Sequence, residues 1–249
     1  MTDSMPKRPE KLSRVILGLL PIVTLIAILD ALVWLITRDT YTAFLHPRFW
    51  PFLLVGAVIL AGFIAALMLG RLEPVGSSGE TLARAMVMLI PLFFLYSAYG
   101  QSMGGYAFTK KLVGNELEVP YVFTDDPPPE DDVASGVDAS LTLLQINQQM
   151  DTLRGKRVST EGFVYTDANV PAGHLLLFRF AIFCCAADAT PVWLFVKSEG
   201  IRAFEPDSWV KVGGVFEVGR IDGKSVPMIL ADTVTRLEPP APGAQYLYF

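Results

Sequence analysis

The run from Val15 to Thr37 is apolar along its length and is interrupted only by Asp30. A stretch of that length is long enough to cross a bilayer as a helix, which limits what the rest of the chain can be. A signal peptide would have a shorter apolar core and a small-residue cleavage site, and this run has neither. It reads as an uncleaved transmembrane helix. Two more apolar runs follow, at about residues 49–69 and 81–99. Composition agrees. The 249 residues are 52% hydrophobic and 18% charged, with mean hydropathy +0.42, too apolar for a water-soluble domain of this size. Residues 1–111 are therefore expected to form a membrane domain with three spans.

The second run carries Gly56, Ala57, Ala61, Gly62, Ala65 and Ala66. Small residues let helix backbones approach in lipid, although glycine and alanine are common in any membrane helix. In the third run Pro91 is expected to kink the helix, and Tyr96, Tyr99 and Tyr106 near its end suit the headgroup region. The N-terminal tail has Lys7, Arg8, Lys11 and Arg14, and the second connection has Arg71 and Arg84. On the other side stand Arg38, Arg48, Lys110 and Lys111. Six positive charges against four place the N-terminus in the cytoplasm, and three spans then put the C-terminal half outside the cell membrane. Asp30 is the ionisable residue deep in a span. One reading makes it an ion relay or a polar contact with a partner subunit. The other lets it reach the interface, about two turns from Arg38. The second is preferred, because three spans rarely make a transport path alone.

The charge divides unevenly. Residues 1–119 hold ten Lys/Arg and eight Asp/Glu, a net of +2; residues 120–249 hold ten and seventeen, a net of −7. A basic membrane half thus precedes an acidic half that repels phosphate backbones, so nucleic acid is not an expected partner. Between them, residues 112–137 include three consecutive prolines at Pro127–Pro129 among five acids. Proline stiffens and like charge extends such a stretch, which reads as a solvated tether.

From residue 138 the signals change. Asp138 or Ser140 is placed to cap a helix that ends near Gly155. Strand patterns follow at residues 156–165, 173–183, 192–197, 208–218 and 226–237, with Gly162 expected at a bulge, Gly213–Gly214 mid-strand, and a tight turn at Asp222–Gly223. Five strands in about a hundred residues suit a small OB-like β-barrel, with a sandwich as the alternative. The fold class expected is membrane α plus all-β.

Both cysteines of the chain are adjacent, at Cys184 and Cys185, and Asp188 follows. In a regular strand neighbouring side chains point to opposite faces, so the thiols would diverge; at a strand end they can converge. Three readings compete. The thiols are small core residues; or they ligate a soft metal such as Zn with Asp188 or His174, although no CxxC or HxxxH spacing is present; or they form a redox pair. His46, in the segment LHPR, is expected beside the second span. No Ser–His–Asp set, phosphate loop or partnered carboxylate pair is visible, so a non-enzyme is expected.

The segments GKRVSTEGFVY, FRFAIFCCAADATPV, WVKVGGVFEV and PMILADTVTRLEPP, the terminal YLYF and the upstream LHPR together resemble the YcgQ-type membrane proteins. The resemblance implies the second component of a two-part permease, partnered by a YcgR-type polytopic protein, with Cys184, Cys185 and Asp188 as the marked positions of a domain of unknown function. The expected role is an accessory or regulatory permease subunit in the cell membrane. The alternative is a membrane-anchored metal-binding or thiol-redox module.

Overall fold

The structure is a computed structural model. It describes residues 8–71, 78–98, 103–112, 139–167, 170–198, 204–221 and 223–249. The expected tether at 112–137 lies outside these residues, apart from Leu112, and so do Tyr99 and Asp222. The chain divides into two compact units: Met1–Tyr41 with Pro47–Gln101, and Thr42–His46 with Ser102–Phe249.

The first unit holds α1 (Arg8–Thr37), α2 (Trp50–Met68) and α3 (Ser78–Ser97), with α1 packed on both of the others. Two helical stretches, Leu19–Thr37 and Pro47–Met68, are long and apolar enough to cross a membrane. Only 6% and 11% of their most apolar windows are buried, the opposite of a soluble core helix. On α2 the buried residues are Ala57 and Ile64, while Phe52, Val58, Ile59 and Phe63 are exposed. The third expected span forms α3. Its apolar stretch, Leu82–Ser97, is shorter, and the helix continues through Pro91.

The second unit contains α4 (Gly105–Leu112), the short helices α5 (Leu143–Gln148) and α6 (Met150–Leu153), and a seven-stranded sheet. The strands are β1 (Ala139–Ser140), β2 (Arg157–Tyr165), β3 (His174–Ile182), β4 (Thr190–Lys197), β5 (Trp209–Ile221), β6 (Lys224–Leu237) and β7 (Leu247–Tyr248). The five expected strands are β2 to β6. Their pairings run β2–β5, β5–β6, β6–β4, β4–β3 and β3–β2, back to the starting strand. The β4–β6 pair is parallel and the other four are antiparallel.

The single expected helix is broken into α5 and α6 at Gln149, and its cap is neither Asp138 nor Ser140. Thr142 caps it, its hydroxyl accepting from Gln145 N–H while the Gln145 side chain accepts from Thr142 N–H, a reciprocal capping box. Ser140 instead lies in β1. Gly162 is not at a bulge either, since the β2–β5 register runs through it unbroken. A Cβ there would stand 2.8 Å from the Phe178 carbonyl oxygen, so the glycine allows β3 to approach β2. The irregularity falls at Gly213–Gly214, where a Cβ on Gly214 would meet Leu230 O at 2.1 Å.

Strand β3 explains why its sequence is apolar without alternation. Leu175, Leu177 and Ala181 join one core, with Val192, Val212 and Phe216. Leu176, Phe178, Phe180 and Ile182 point the other way into a second, aromatic core. That second face would be open if it were covered only by the sheet. It is closed by Phe108 of α4, fully buried, and by Tyr246 of the C-terminal tail.

Candidate functional site

β3 stops at Ile182, and the chain turns through Phe183, Cys184 and Cys185 into a single 3-10 turn at Ala186–Asp188. Asp188 makes this turn. Its Oδ1 accepts Phe183 N–H at 3.1 Å, and its Oδ2 accepts Cys184 N–H at 2.7 Å and Cys185 N–H at 3.1 Å. Three backbone donors on one carboxylate fix the backbone on which both thiols sit. Because this stretch is a turn and not a strand, the thiols do not diverge. The Sγ atoms lie 3.7 Å apart, outside the bonding distance of about 2.05 Å. Both cysteines are free and half-buried.

The electrostatics follow from that geometry. Burial pushes the Asp188 carboxyl up, but hydrogen bonds from the Cys184 thiol and from the N–H groups of Cys184, Cys185 and Phe183 outweigh it and hold the pKa at about 2. The Cys184 thiol, hydrogen-bonded to that carboxylate and to Cys185, is pushed up to about 11. In this state Asp188 is charged and Cys184 is protonated at neutral pH. Cys184 Sγ, Cys185 Sγ and an Asp188 oxygen all lie within 4.8 Å of one another, the one such group of three among the described residues.

The other expected positions lie elsewhere. His174 begins β3, at the far end from the turn; its Nδ1 lies 3.1 Å from Ala172 O and its ring meets Phe195 edge-on. Asp30 is an exposed residue of α1 in the first unit. His46 belongs to the second unit. Its N–H donates to Cys184 O at 3.0 Å, its Nε2 lies 3.3 Å from Phe249 O, and its ring meets Tyr248 edge-on at 4.9 Å.

Four contributing residues were not expected from the sequence. Leu45 bridges Cys185 in antiparallel fashion, and Ala186 N–H donates to Phe44 O at 2.8 Å. Lys111, in the last turn of α4, donates from Nζ to Ala187 O at 3.2 Å and also to Ala189 O. Arg179 is buried under Trp209 and donates to the carbonyls of Ala244, Gln245 and Tyr246 at 2.7–3.1 Å. It thereby sets the tail so that β7 pairs with the end of β3, at Ala181 and Ile182. The LHPR segment was a visible signal for His46. Nothing local marked Lys111 or Arg179.

Fold and site together define a chain with apolar N-terminal helices and a β-sheet unit that carries a vicinal-thiol turn. Residues 139–249 of that chain match the family model described as the DUF1980 C-terminal domain. No curated protein matches the chain. Among solved structures it is similar to yeast RPA bound to ssDNA, at 14% identity and TM-score 0.29, over 43% of this chain and 80% of that one. It is also similar to a protein of Leishmania major Friedlin described as an aspartyl-tRNA synthetase, at 13% identity and TM-score 0.27, over 53% of this chain and 25% of that one. Likenesses this low carry no argument about what the chain does.

Proposed function

We propose that this chain is a membrane-anchored module that takes a soft or borderline cation such as Zn2+ on Cys184, Cys185 and Asp188. The observation that carries this reading is the sulfur spacing. A tetrahedral site with Zn–S bonds of about 2.3 Å holds two thiolates about 3.8 Å apart. The Cys184 and Cys185 sulfurs are 3.7 Å apart, close to that spacing. Asp188 has about four acceptor sites; three are used by N–H groups, and the fourth, taken by the Cys184 thiol, comes free for a cation once that thiol loses its proton. Two thiolates and one carboxylate oxygen leave the fourth position open. An open position suits a cation that is taken up and passed on, whereas structural zinc sites are closed. Because Cys184 is pushed up to about 11, loading must release its proton, so binding weakens as pH falls.

The same raised value disfavours Cys184 as the attacking thiol of a redox pair, since an attacking cysteine needs its thiolate. The test uses the full chain in mild detergent, titrated with zinc against a chromophoric chelator. About one zinc per chain is expected, and it is lost in Cys184→Ser and in Cys185→Ser. Equal zinc content in the double variant would rule the site out.

The surrounding architecture is part of the proposal. The ring of strand pairings supports an OB-like barrel for β2 to β6. The surface of that barrel formed by β3 and β4 is covered by α4 and the tail, and residues 120–249 carry a net charge of −7 (ten Lys/Arg, seventeen Asp/Glu), so nucleic acid remains an unfavoured partner. The apolar helices support a multi-pass anchor in the cell membrane with three crossings. The resemblance to YcgQ-type proteins supports a polytopic permease as the partner that receives the cation. Recovery of the chain always alone after solubilisation in mild detergent would count against that partner.

A further inference from the structure

Two stretches of chain lead from the apolar helices into the second unit, and both end on the same turn. The connection between α1 and α2 holds it through His46 N–H on Cys184 O and Ala186 N–H on Phe44 O, at 3.0 and 2.8 Å. After α3, the chain enters the second unit as α4. That helix is fixed by Asp207, which accepts Gly105 N–H, and by buried Phe108, and its last turn places Lys111 on Ala187 O and Ala189 O. The tail closes a circuit behind the turn: Tyr248 O–H donates to Thr42 O at 3.1 Å, while β7 pairs with the end of β3.

We propose that the Cys184–Asp188 turn is a transmission point, where occupancy of the thiol site and the order of both links are thermodynamically coupled. This rests on the metal reading above. Chelation by Cys184 and Cys185 fixes the same backbone whose carbonyl and amide groups hold Phe44 and His46. A ligand that favours the ordered turn therefore favours the ordered links. By reciprocity, links that are broken weaken the ligand by the same factor. No side-chain relay is needed, because the bonds to the α1–α2 connection are made by the backbone of the turn itself.

The experiment uses the full chain in detergent, with zinc as the probe. Hydrogen exchange of peptides covering residues 40–50, 105–112 and 183–190 is measured with and without saturating zinc. Exchange at His46 and Ala186, and across α4, is expected to slow about fivefold or more on loading. In parallel, His46→Pro removes the N–H that binds Cys184 O, while His46→Ala keeps it. The proline variant is expected to lose zinc affinity about fivefold or more, and the alanine variant to stay within about twofold. Zinc bound at one per chain, with exchange unchanged and both variants at wild-type affinity, would overturn the coupling and leave the metal site standing. A wild-type chain that binds no zinc would overturn both. If His46→Pro does not fold, the exchange measurement on the wild type still decides.

Discussion

Asp188 carries a role in the structure that its place beside two cysteines did not announce. Its sequence position beside two cysteines suggested a metal ligand. Its first role in the structure is to organise the turn, accepting three N–H groups and setting the thiols side by side. It also governs Cys184 chemistry. Replacing it in Asp188→Asn removes the carboxylate that pushes Cys184 to about 11, letting the thiol fall back toward its ordinary 9.0. Cys185 and burial still hold the thiol up in part, so at pH 8 the thiolate fraction rises by at most about a hundredfold, the lower basicity takes back roughly a factor of eight, and alkylation of Cys184 by iodoacetamide should quicken by up to about tenfold. Mass spectrometry of the alkylated peptide reads this; an unchanged rate would show that the carboxylate does not hold the proton. The pH dependence of stability has a definite sign at both ends. Asp188 is depressed in the folded chain, so its contribution is full above its ordinary 3.8 and is lost as pH falls toward 2. Cys184 is raised, so its contribution is full below 9.0 and is lost as pH rises toward 11. Thermal unfolding of the wild type relative to Asp188→Asn should therefore show its largest gap between about pH 4 and 9 and converge outside it.

At the level of elements, much of the β unit was legible and the parts that complete it were not. Strands β2 to β6 were visible because β-branched and aromatic runs are bounded by glycine, proline and aspartate. The apolar run of β3, broken only by Arg179 after His174, was visible too, but not its cause, since burial on two faces depends on what covers the second one. The covering helix α4 was hidden by its neighbours. Tyr106, Lys110 and Lys111 read as the headgroup flank of a membrane span, yet α4 belongs to the unit that holds the site. Its Phe108 is fully buried, with ring centroids 4.4 Å from Phe178 and 4.8 Å from Tyr165. Converging thiols were likewise unreadable from adjacency alone, because the outcome turned on where β3 stops. Phe108→Ala should destabilise the β unit by about 3–5 kcal/mol, measured by denaturant unfolding followed through the buried Trp193 and Trp209. By the same argument a fragment beginning at Ala139, where the family match begins, should be less stable than one beginning at Ser102.

For the whole molecule, the proposed membrane anchor can be tested by parity. Thr42–His46 and Ser102–Phe249 form one unit, so the chain that leaves it at His46 returns to it at Ser102. Any such excursion crosses a bilayer an even number of times. If α2 crosses once, α3 must supply the return, although its apolar stretch is the shorter one. Its 20 residues span roughly 30 Å at 1.5 Å each, the thickness of the hydrocarbon layer. Val87, Ile90, Phe93 and Phe94 on it are 51–68% exposed, a surface that water would penalise and lipid would not. The alternative in which neither α2 nor α3 inserts would leave these side chains, and Phe52, Val58 and Ile59 of α2, in water. Single cysteines introduced by Thr40→Cys, Ser77→Cys and Ser198→Cys, in a Cys184→Ser, Cys185→Ser background, separate the cases. With a membrane-impermeant maleimide on intact cells, Thr40→Cys and Ser198→Cys should label together from outside, and Ser77→Cys only after the membrane is opened. Labelling of Ser77→Cys from the same side as the other two would mean that α2 and α3 do not cross. Opposite behaviour of Thr40→Cys and Ser198→Cys would be incompatible with the bond between His46 and Cys184, because no backbone hydrogen bond joins residues held on two faces of a bilayer.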